Sequence, residues 1–133
     1  MEGEINLDQL CAEYGYRFAK KVSEADGFDA KKAEVIITKA LGVLQEQGLY
    51  AFALFCKSRS SGERAGAEEI EALAKELLKE LSLINDGDFL EELQKDDGLL
   101  TKLDYLMLAI QVLEKSLIYA RFHAKAMKEA GEE

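Results

Sequence analysis

Apolar residues recur every three or four positions along most of the chain, which is the spacing that puts them on one face of an α-helix. The first such stripe consists of Leu7, Leu10, Cys11, Tyr14, Phe18 and Val22. We expect this helix to end at Asp26-Gly27, and a second helix to begin after Asp29 as its N-cap and to end at Gly48.

The pattern continues through three further elements. A third helix is predicted from Leu49 to about Arg59, with apolar residues on nearly every side, as in a helix buried inside a bundle. The polar stretch 58–66 predicts a mobile surface loop. A fourth helix follows from the stripe Ile70, Leu73, Ala74, Leu77, Leu78, Leu81 and Ile84. Asp88, with Glu91 three residues later, predicts the start of a short fifth helix.

The last predicted helix is the longest, from about Thr101 to Lys128, with Leu103 opening its apolar seam. Its 28 residues would span about 42 Å, compared with a radius of gyration of about 14 Å for a compact chain of this size. The chain has no proline, so no residue that breaks helices interrupts these segments. The sequence therefore predicts a single all-α domain over residues 1–133, an elongated bundle of about five to six helices.

Charge is distributed unevenly. The chain has 17 Lys and Arg against 26 Asp and Glu, a formal charge of −9, which excludes an autonomous, strongly basic nucleic-acid binder. Residues 63–104 carry 5 basic and 13 acidic side chains, whereas residues 14–62 and 105–128 each have a net charge of +3. A polar molecule with one basic face is therefore expected.

Basic side chains form three clusters, at helical spacing or at a predicted helix end: Arg17, Lys20 and Lys21; Lys57 and Arg59; and Arg121, Lys125 and Lys128. Neighbouring like charges on a helix repel by a few tenths of a kcal/mol per pair, which a bound anion would relieve. The alternative is a solvated face, with Lys57 and Arg59 favoured by the helix dipole. No aromatic residues interleave with these clusters, so a nucleic acid would be contacted through its backbone.

The residues needed for catalysis are scarce. His123 is the only histidine, and Ala120 stands where a di-metal Glu-x-x-His motif would need its glutamate. Neither a zinc pattern nor a glycine-rich phosphate loop is present in the sequence. We expect no enzyme, no metal and no cofactor, with His123 as a partly buried packing residue and Cys11 and Cys56 as buried reduced thiols.

Two sequence features indicate a cytoplasmic protein without a membrane segment. The chain begins Met1-Glu2-Gly3-Glu4, which is acidic where a targeting signal would be basic. The longest uncharged run, Gln47 to Cys56, has ten residues, well short of the roughly 18 that a membrane span needs.

Three segments of the sequence resemble a known protein family. The sequence resembles the small helical subunit of the type III-B (Cmr) CRISPR ribonucleoprotein complex in two main segments. The first is Gln47-Gly48-Leu49 followed by residues 53–59 (Ala-Leu-Phe-Cys-Lys-Ser-Arg). The second is residues 117–128, with Tyr119-Ala120-Arg121-Phe122. Residues 13–22 are similar as well. Gln47 replaces the asparagine of that family, and Ile118 and Ala120 stand where the family often has tryptophan and paired basic residues.

The resemblance implies a non-catalytic subunit in antiviral defence. Such subunits stack in several copies beside the other subunits of the Cmr complex and line the channel where guide RNA pairs with target RNA. By match, Lys57, Arg59 and Arg121 are the candidate phosphate contacts. Charge geometry adds Arg17, Lys20, Lys21 and Lys125.

Other functions also fit the sequence. One is a general protein-binding helical adaptor without RNA contact, docking a partner helix near Phe52, Phe55 or Tyr119. Another is a ligand-sensing or enzymatic bundle with a site around Tyr14, Tyr119 and His123. A small subunit of a different CRISPR effector type is a third. Because of its net charge, the isolated chain is expected to bind RNA poorly.

Overall fold

The computed structural model describes residues 6–131, which form six α-helices and a short 3-10 helix. The helices are α1 (Leu7–Ser23), α2 (Ala30–Gln47), α3 (Leu49–Lys57), α4 (Arg64–Glu80), α5 (Phe89–Gln94) and α6 (Leu103–Glu129), with the 3-10 helix at Leu99–Thr101. No strand occurs within the described range, and the predicted all-α class is confirmed. The acidic start at residues 1–4 lies outside the described residues.

Short polar side chains fix where three of the helices begin. The Asn6 side chain accepts a hydrogen bond from the N–H of Gln9 at 3.0 Å and starts α1. As predicted, the carboxylates of Asp29 and Asp88 cap α2 and α5 by accepting from backbone N–H groups three residues later. Between α2 and α3, Gly48 has φ 96°, a value that disfavours residues with a Cβ.

Helices α1 and α6 run parallel along the bundle. Asp8 near the start of α1 pairs with Lys115, and Tyr16, eight residues later, meets His123, which is also eight residues further along α6. The two helices approach closely at Gly15, which is buried against α6. Consequently their C-terminal halves lie side by side at one end of the molecule.

Two other helices run antiparallel to this pair. On α2, Gln45 bonds Glu114 near the middle of α6, while Glu34 pairs with Lys128 near its end. On α4, the acceptors for Tyr14 and Arg17 of α1 are Glu80 and Glu76. Buried apolar residues from all six α-helices form one core cluster, with Phe18, Phe52 and Phe89 fully buried at its centre.

The structure corrects several details of the predicted helices. Helix α4 begins at Arg64, so the end of the predicted loop 58–66 is helical, and Gly66 is buried against the ring of Phe28. The same helix ends at Glu80, and the chain reverses at Ser82 with φ 61°, so Ile84 reaches the core from a turn. Leu103, expected on the seam of α6, is 68% exposed because the first turn of α6 extends past its neighbours.

Both cysteines are buried free thiols, as predicted. Burial is the main cause that raises the pKa of each thiol, to about 12 for Cys56. In the described part of the chain, no helix has both the length and the hydrophobicity needed to cross a membrane.

Candidate nucleic-acid interface

Lys57 is held by two carboxylates. Its Nζ lies 2.7 Å from Glu71 Oε2 and 3.1 Å from Asp88 Oδ1, so it ties the end of α3 to α4 and to the cap of α5. The hydrogen bond with Glu71 is the main cause that raises the pKa of Lys57. A phosphate at this position would have to compete with both acidic partners.

Arg59 closes the end of α3. Its Nε donates to the Phe55 carbonyl oxygen at 3.3 Å, and its guanidinium lies 4.1 Å from the centroid of the Phe55 ring. One of its terminal nitrogens lies 3.3 Å from Glu63 Oε1. Since the last carbonyls of a helix lack intrahelical partners, this residue acts as a side-chain cap for α3.

Two of the α1 candidates are also paired. The Arg17 guanidinium lies 2.7 Å from Glu76 Oε2 on α4 and 4.6 Å from the centroid of the Tyr14 ring. Lys20 pairs with Glu24 one turn later at 2.7 Å. With Lys57 and Arg59, four of the seven predicted phosphate ligands therefore have acidic partners within the chain.

The other three form no ion pair among residues 6–131, although the charge of Lys21 helps to lower the pKa of Glu24, after the larger effects of Lys20. Lys21 and Lys125 are exposed, Arg121 is half-buried, and none of the three forms an ion pair in this range. Arg121 contacts instead the ring of Phe122, with its guanidinium carbon 5.8 Å from the ring centroid. Because α1 and α6 are parallel, Lys21 lies at the same end of the bundle as Arg121 and Lys125.

An aromatic groove lies between α1 and α6. It has a volume of about 280 Å³ and is lined by Ala12, Tyr119, Phe122, His123 and Ala126. At its edge, the Tyr16 ring meets the His123 ring edge to face, with centroids 5.7 Å apart and planes at 78°. Phe122 is 62% exposed and Tyr16 51% exposed, so both rings face solvent.

The structure corrects one expectation about His123, which is exposed and meets Tyr16 edge to face, because its helix face points along α1 and away from the core. Aromatic residues are also close to some of the basic ones, as Phe122 is to Arg121. That a nucleic acid would be contacted through its backbone stays a prediction. Tyr16 precedes Lys20 by one turn and Phe122 directly follows Arg121, so the sequence contained the signal in two separate segments.

The sites proposed for the other functions are not formed as predicted. Phe52 and Phe55 are buried and offer no docking patch; of the predicted patch only Tyr119 reaches a surface groove. Tyr14 is 1% exposed and donates to Glu80 on α4, whereas the Tyr119 hydroxyl donates to Asp8. Tyr14 is therefore not part of the groove that contains Tyr119 and His123.

A cleft of about 610 Å³ lies between the turn after α4 and the segment that leads into α6. Its one buried carboxylate, Glu92, accepts from the N–H of Asn85 at 2.9 Å and from Lys95 Nζ at 3.1 Å. Across residues 6–131, no group of histidine, cysteine and acidic side chains is arranged to hold a metal ion. The hydrogen bond from Asn85 to Glu92 ties the turn after α4 to α5.

No family model, curated protein or solved structure matches this chain. The resemblance to the Cmr small subunit expected from residues 47–59 and 117–128, with residues 13–22, therefore stays a prediction. In the fold, the first segment runs from the end of α2 through α3 to Arg59, and the second forms the C-terminal half of α6. The second segment carries Arg121, Lys125 and most of the aromatic groove.

Proposed function

We propose that this chain is a non-catalytic small subunit of a type III-B (Cmr) CRISPR ribonucleoprotein complex. It stacks beside the backbone subunits and lines the channel that holds guide and target RNA. The observation that carries the proposal is a set of three cations near one end of the bundle, Arg121, Lys125 and Lys21, which form no ion pair within the described residues. The resemblance of residues 47–59 and 117–128 supplies the type of assembly.

The ion pairs divide the basic residues into those that a phosphate can reach freely and those that already bind a carboxylate. A phosphate must displace carboxylates from Lys57, Arg59, Arg17 or Lys20, whereas it meets Arg121, Lys125 and Lys21 without such competition. Contacts between these side chains and phosphates release counterions, so their contribution falls steeply with salt. We assign the primary phosphate contacts to Arg121, Lys125 and Lys21. Lys57 and Arg59 instead stabilise the end of α3.

The charge of the whole chain requires an assembly. At −9 the isolated protein has little long-range attraction for RNA. Neighbouring subunits would raise the effective concentration of each cation near the RNA, so a few contacts per copy suffice. The acidic segment 63–104 then faces solvent or the basic surface of a partner subunit.

The first test is affinity purification of the tagged chain from its native host, with mass spectrometry of the proteins and sequencing of the RNA. The expected result is several backbone proteins together with a repeat-derived guide RNA. Recovery of a single protein without RNA would overturn the proposal in favour of a protein-binding adaptor.

A second test measures target-RNA affinity of purified complexes that contain Arg121→Glu or Lys125→Glu. The control is Lys102→Glu, which makes the same change of charge at the opposite end of α6, where Lys102 pairs with the exposed Asp97 at 3.7 Å. We expect about tenfold weaker binding for the first two variants and a shallower salt dependence, by about one phosphate contact each. Equal losses in all three variants would indicate an effect of net charge and contradict the assigned contacts.

A further inference from the structure

The first two turns of α6 expose the helix face that α2 covers further along. From Leu103 this face continues through Met107 and Ile110 to Glu114, at intervals of four, three and four residues. Glu114 accepts a hydrogen bond from Gln45 of α2 at 2.8 Å. Because α2 is antiparallel to α6 and ends two residues after Gln45, it stops before it reaches Met107. Leu103 is accordingly 68% exposed and Met107 51% exposed.

Leu103, Met107 and Ile110 form what we call the α6 start surface. At 1.5 Å per residue it extends about 10 Å along the helix, or two turns. The same face packs against a helix from Glu114 onwards, so its side chains have the spacing that a helix fits. Two turns bury far less than the roughly 1,200 Å² of a stable interface between proteins. The surface therefore suits one helix of a partner within a larger assembly.

The chain around this surface is acidic. The segment 86–104, which leads into α6, has seven acidic side chains and two basic ones. Four of the seven carboxylates pair with lysines, which include both lysines of the segment, and Lys75 of α4 also acts on two of these four. The other three, Glu91, Asp96 and Asp104, form no ion pair among residues 6–131. Asp104 directly follows Leu103, so it borders the exposed stripe.

We propose that the α6 start surface docks a helix of a partner protein whose apolar stripe is flanked by lysine or arginine. This helix would continue along α6 where α2 ends, with its cations facing Asp104 and the exposed Glu46 in the last turn of α2. Charge argues against a second copy of the chain as the occupant, because two molecules of charge −9 repel each other. The inference does not depend on RNA contacts, which the proposed function assigns to the other end of α6.

The test is an NMR titration of the full chain, isotopically labelled at the methionine methyl groups, at physiological ionic strength. The ligands are two designed helical peptides of about 18 residues, or five turns, with the same leucine stripe. One has lysine at the polar positions and the other has glutamate. We expect the lysine peptide to shift the Met107 methyl signal and to leave Met127, near the other end of α6, unchanged. The glutamate peptide should bind about tenfold more weakly.

Three variants separate this contact from general attraction between opposite charges. Leu103→Ala should weaken binding of the lysine peptide about tenfold, because it removes an apolar side chain that the peptide covers. Val35→Ala, at an exposed position in the first half of α2, is the matched control and should leave the affinity unchanged. Asp104→Lys should weaken binding of the lysine peptide and strengthen binding of the glutamate peptide.

Four results would overturn the inference. They are the absence of a Met107 shift with either peptide, equal shifts of Met107 and Met127, and equal losses from Leu103→Ala and Val35→Ala. The fourth is a Met107 shift that grows with protein concentration in the absence of peptide, which would identify a second copy of the chain as the occupant. None of them bears on the RNA contacts proposed for Arg121, which the affinity purification and the Arg121→Glu variant test separately.

Discussion

Gly15 of α1 lies directly against Tyr119 of α6, so that a Cβ built on Gly15 would be 2.5 Å from the Tyr119 Cβ and 3.1 Å from the Ser116 carbonyl oxygen. These are rigid parts of α6 and cannot rotate away as a long side chain could. The close approach of the two helices therefore depends on the missing side chain. It also sets the distance between Ala12 of α1 and the rings of α6 that line the aromatic groove.

Gly15→Ala should destabilise the protein, because the two helices must separate to admit the methyl group. Overpacking of this kind costs about 1–3 kcal/mol, more than the gain of up to about 1 kcal/mol from replacing a helical glycine. The measurement is urea unfolding followed by circular dichroism. Gly42→Ala in α2 is the control, since nothing lies within 4 Å of its Cβ position, and it should stabilise the fold. Equal stabilisation by both variants would contradict the close packing.

Lys57→Met should lower the free energy of unfolding by about 1 kcal/mol, since it leaves the Glu71 carboxylate, whose side chain is only 16% exposed, without its ion-pair partner. A double-mutant cycle with Glu71→Gln isolates the coupling between the two side chains. Lys31→Met, at an exposed position with no ion pair in the described range, is the control. Strictly additive effects of the Lys57 and Glu71 variants would show that the pair contributes nothing.

Cys56 should react with thiol reagents only when the protein unfolds. The side chain is buried and its pKa is raised to about 12, mainly by burial, so at pH 8 only about one thiol in 10⁴ is ionised. In the Cys11→Ala background, labelling should be slow in buffer and complete in denaturing urea. Rapid labelling of the native protein at pH 8 would show that α3 opens without global unfolding.

Glu92 should make stability depend on acidic pH. The Asn85 N–H, and then Lys95, hold the pKa of this carboxyl below its ordinary value of 4.5. A lowered pKa in the folded state stabilises the protein above the unfolded value, and this contribution is lost as pH falls through the folded pKa. Glu92→Gln should therefore be less stable than the parent protein at pH 7, with a difference that shrinks below about pH 4.5.

Urea unfolding of both proteins at several pH values between 3 and 7 checks this expectation. Glu91→Gln, at an exposed position of the same helix, serves as the control for the loss of one negative charge. If the Glu92→Gln difference were the same at pH 3 and pH 7, the carboxylate would not be the stabilising form.

Much of the secondary structure could be predicted because its causes are local. The apolar period of three and four residues gives each helix its buried face, and caps such as Asp29 and Asp88 act on backbone groups only three residues away. The errors at Gly66 and Ile84 arose where packing decided the boundary: Phe28 covers Gly66, and the core takes up Ile84 from a turn.

The candidate site was predicted only as a set of basic residues. Sequence spacing groups Arg17 with Lys20 and Lys57 with Arg59, but it does not reveal that Glu76 and Glu71 lie opposite Arg17 and Lys57. Those acidic partners lie on α4, and they meet the cations only once the helices pack. The distinction between paired and unpaired cations, which ranks the proposed phosphate contacts, is therefore a property of the tertiary structure.

The amino-acid sequence was enough to establish the helices, the caps at Asp29 and Asp88, the absence of proline and the uneven charge, because each depends on residues close together in the chain. The aromatic groove depended on the packing of α1 against α6. Tyr16 and His123 are 107 positions apart, and they meet only because Gly15 lets the two parallel helices approach closely. Side-chain pairing over such distances is set by the global arrangement of the core, which the local 3.6-residue period does not encode.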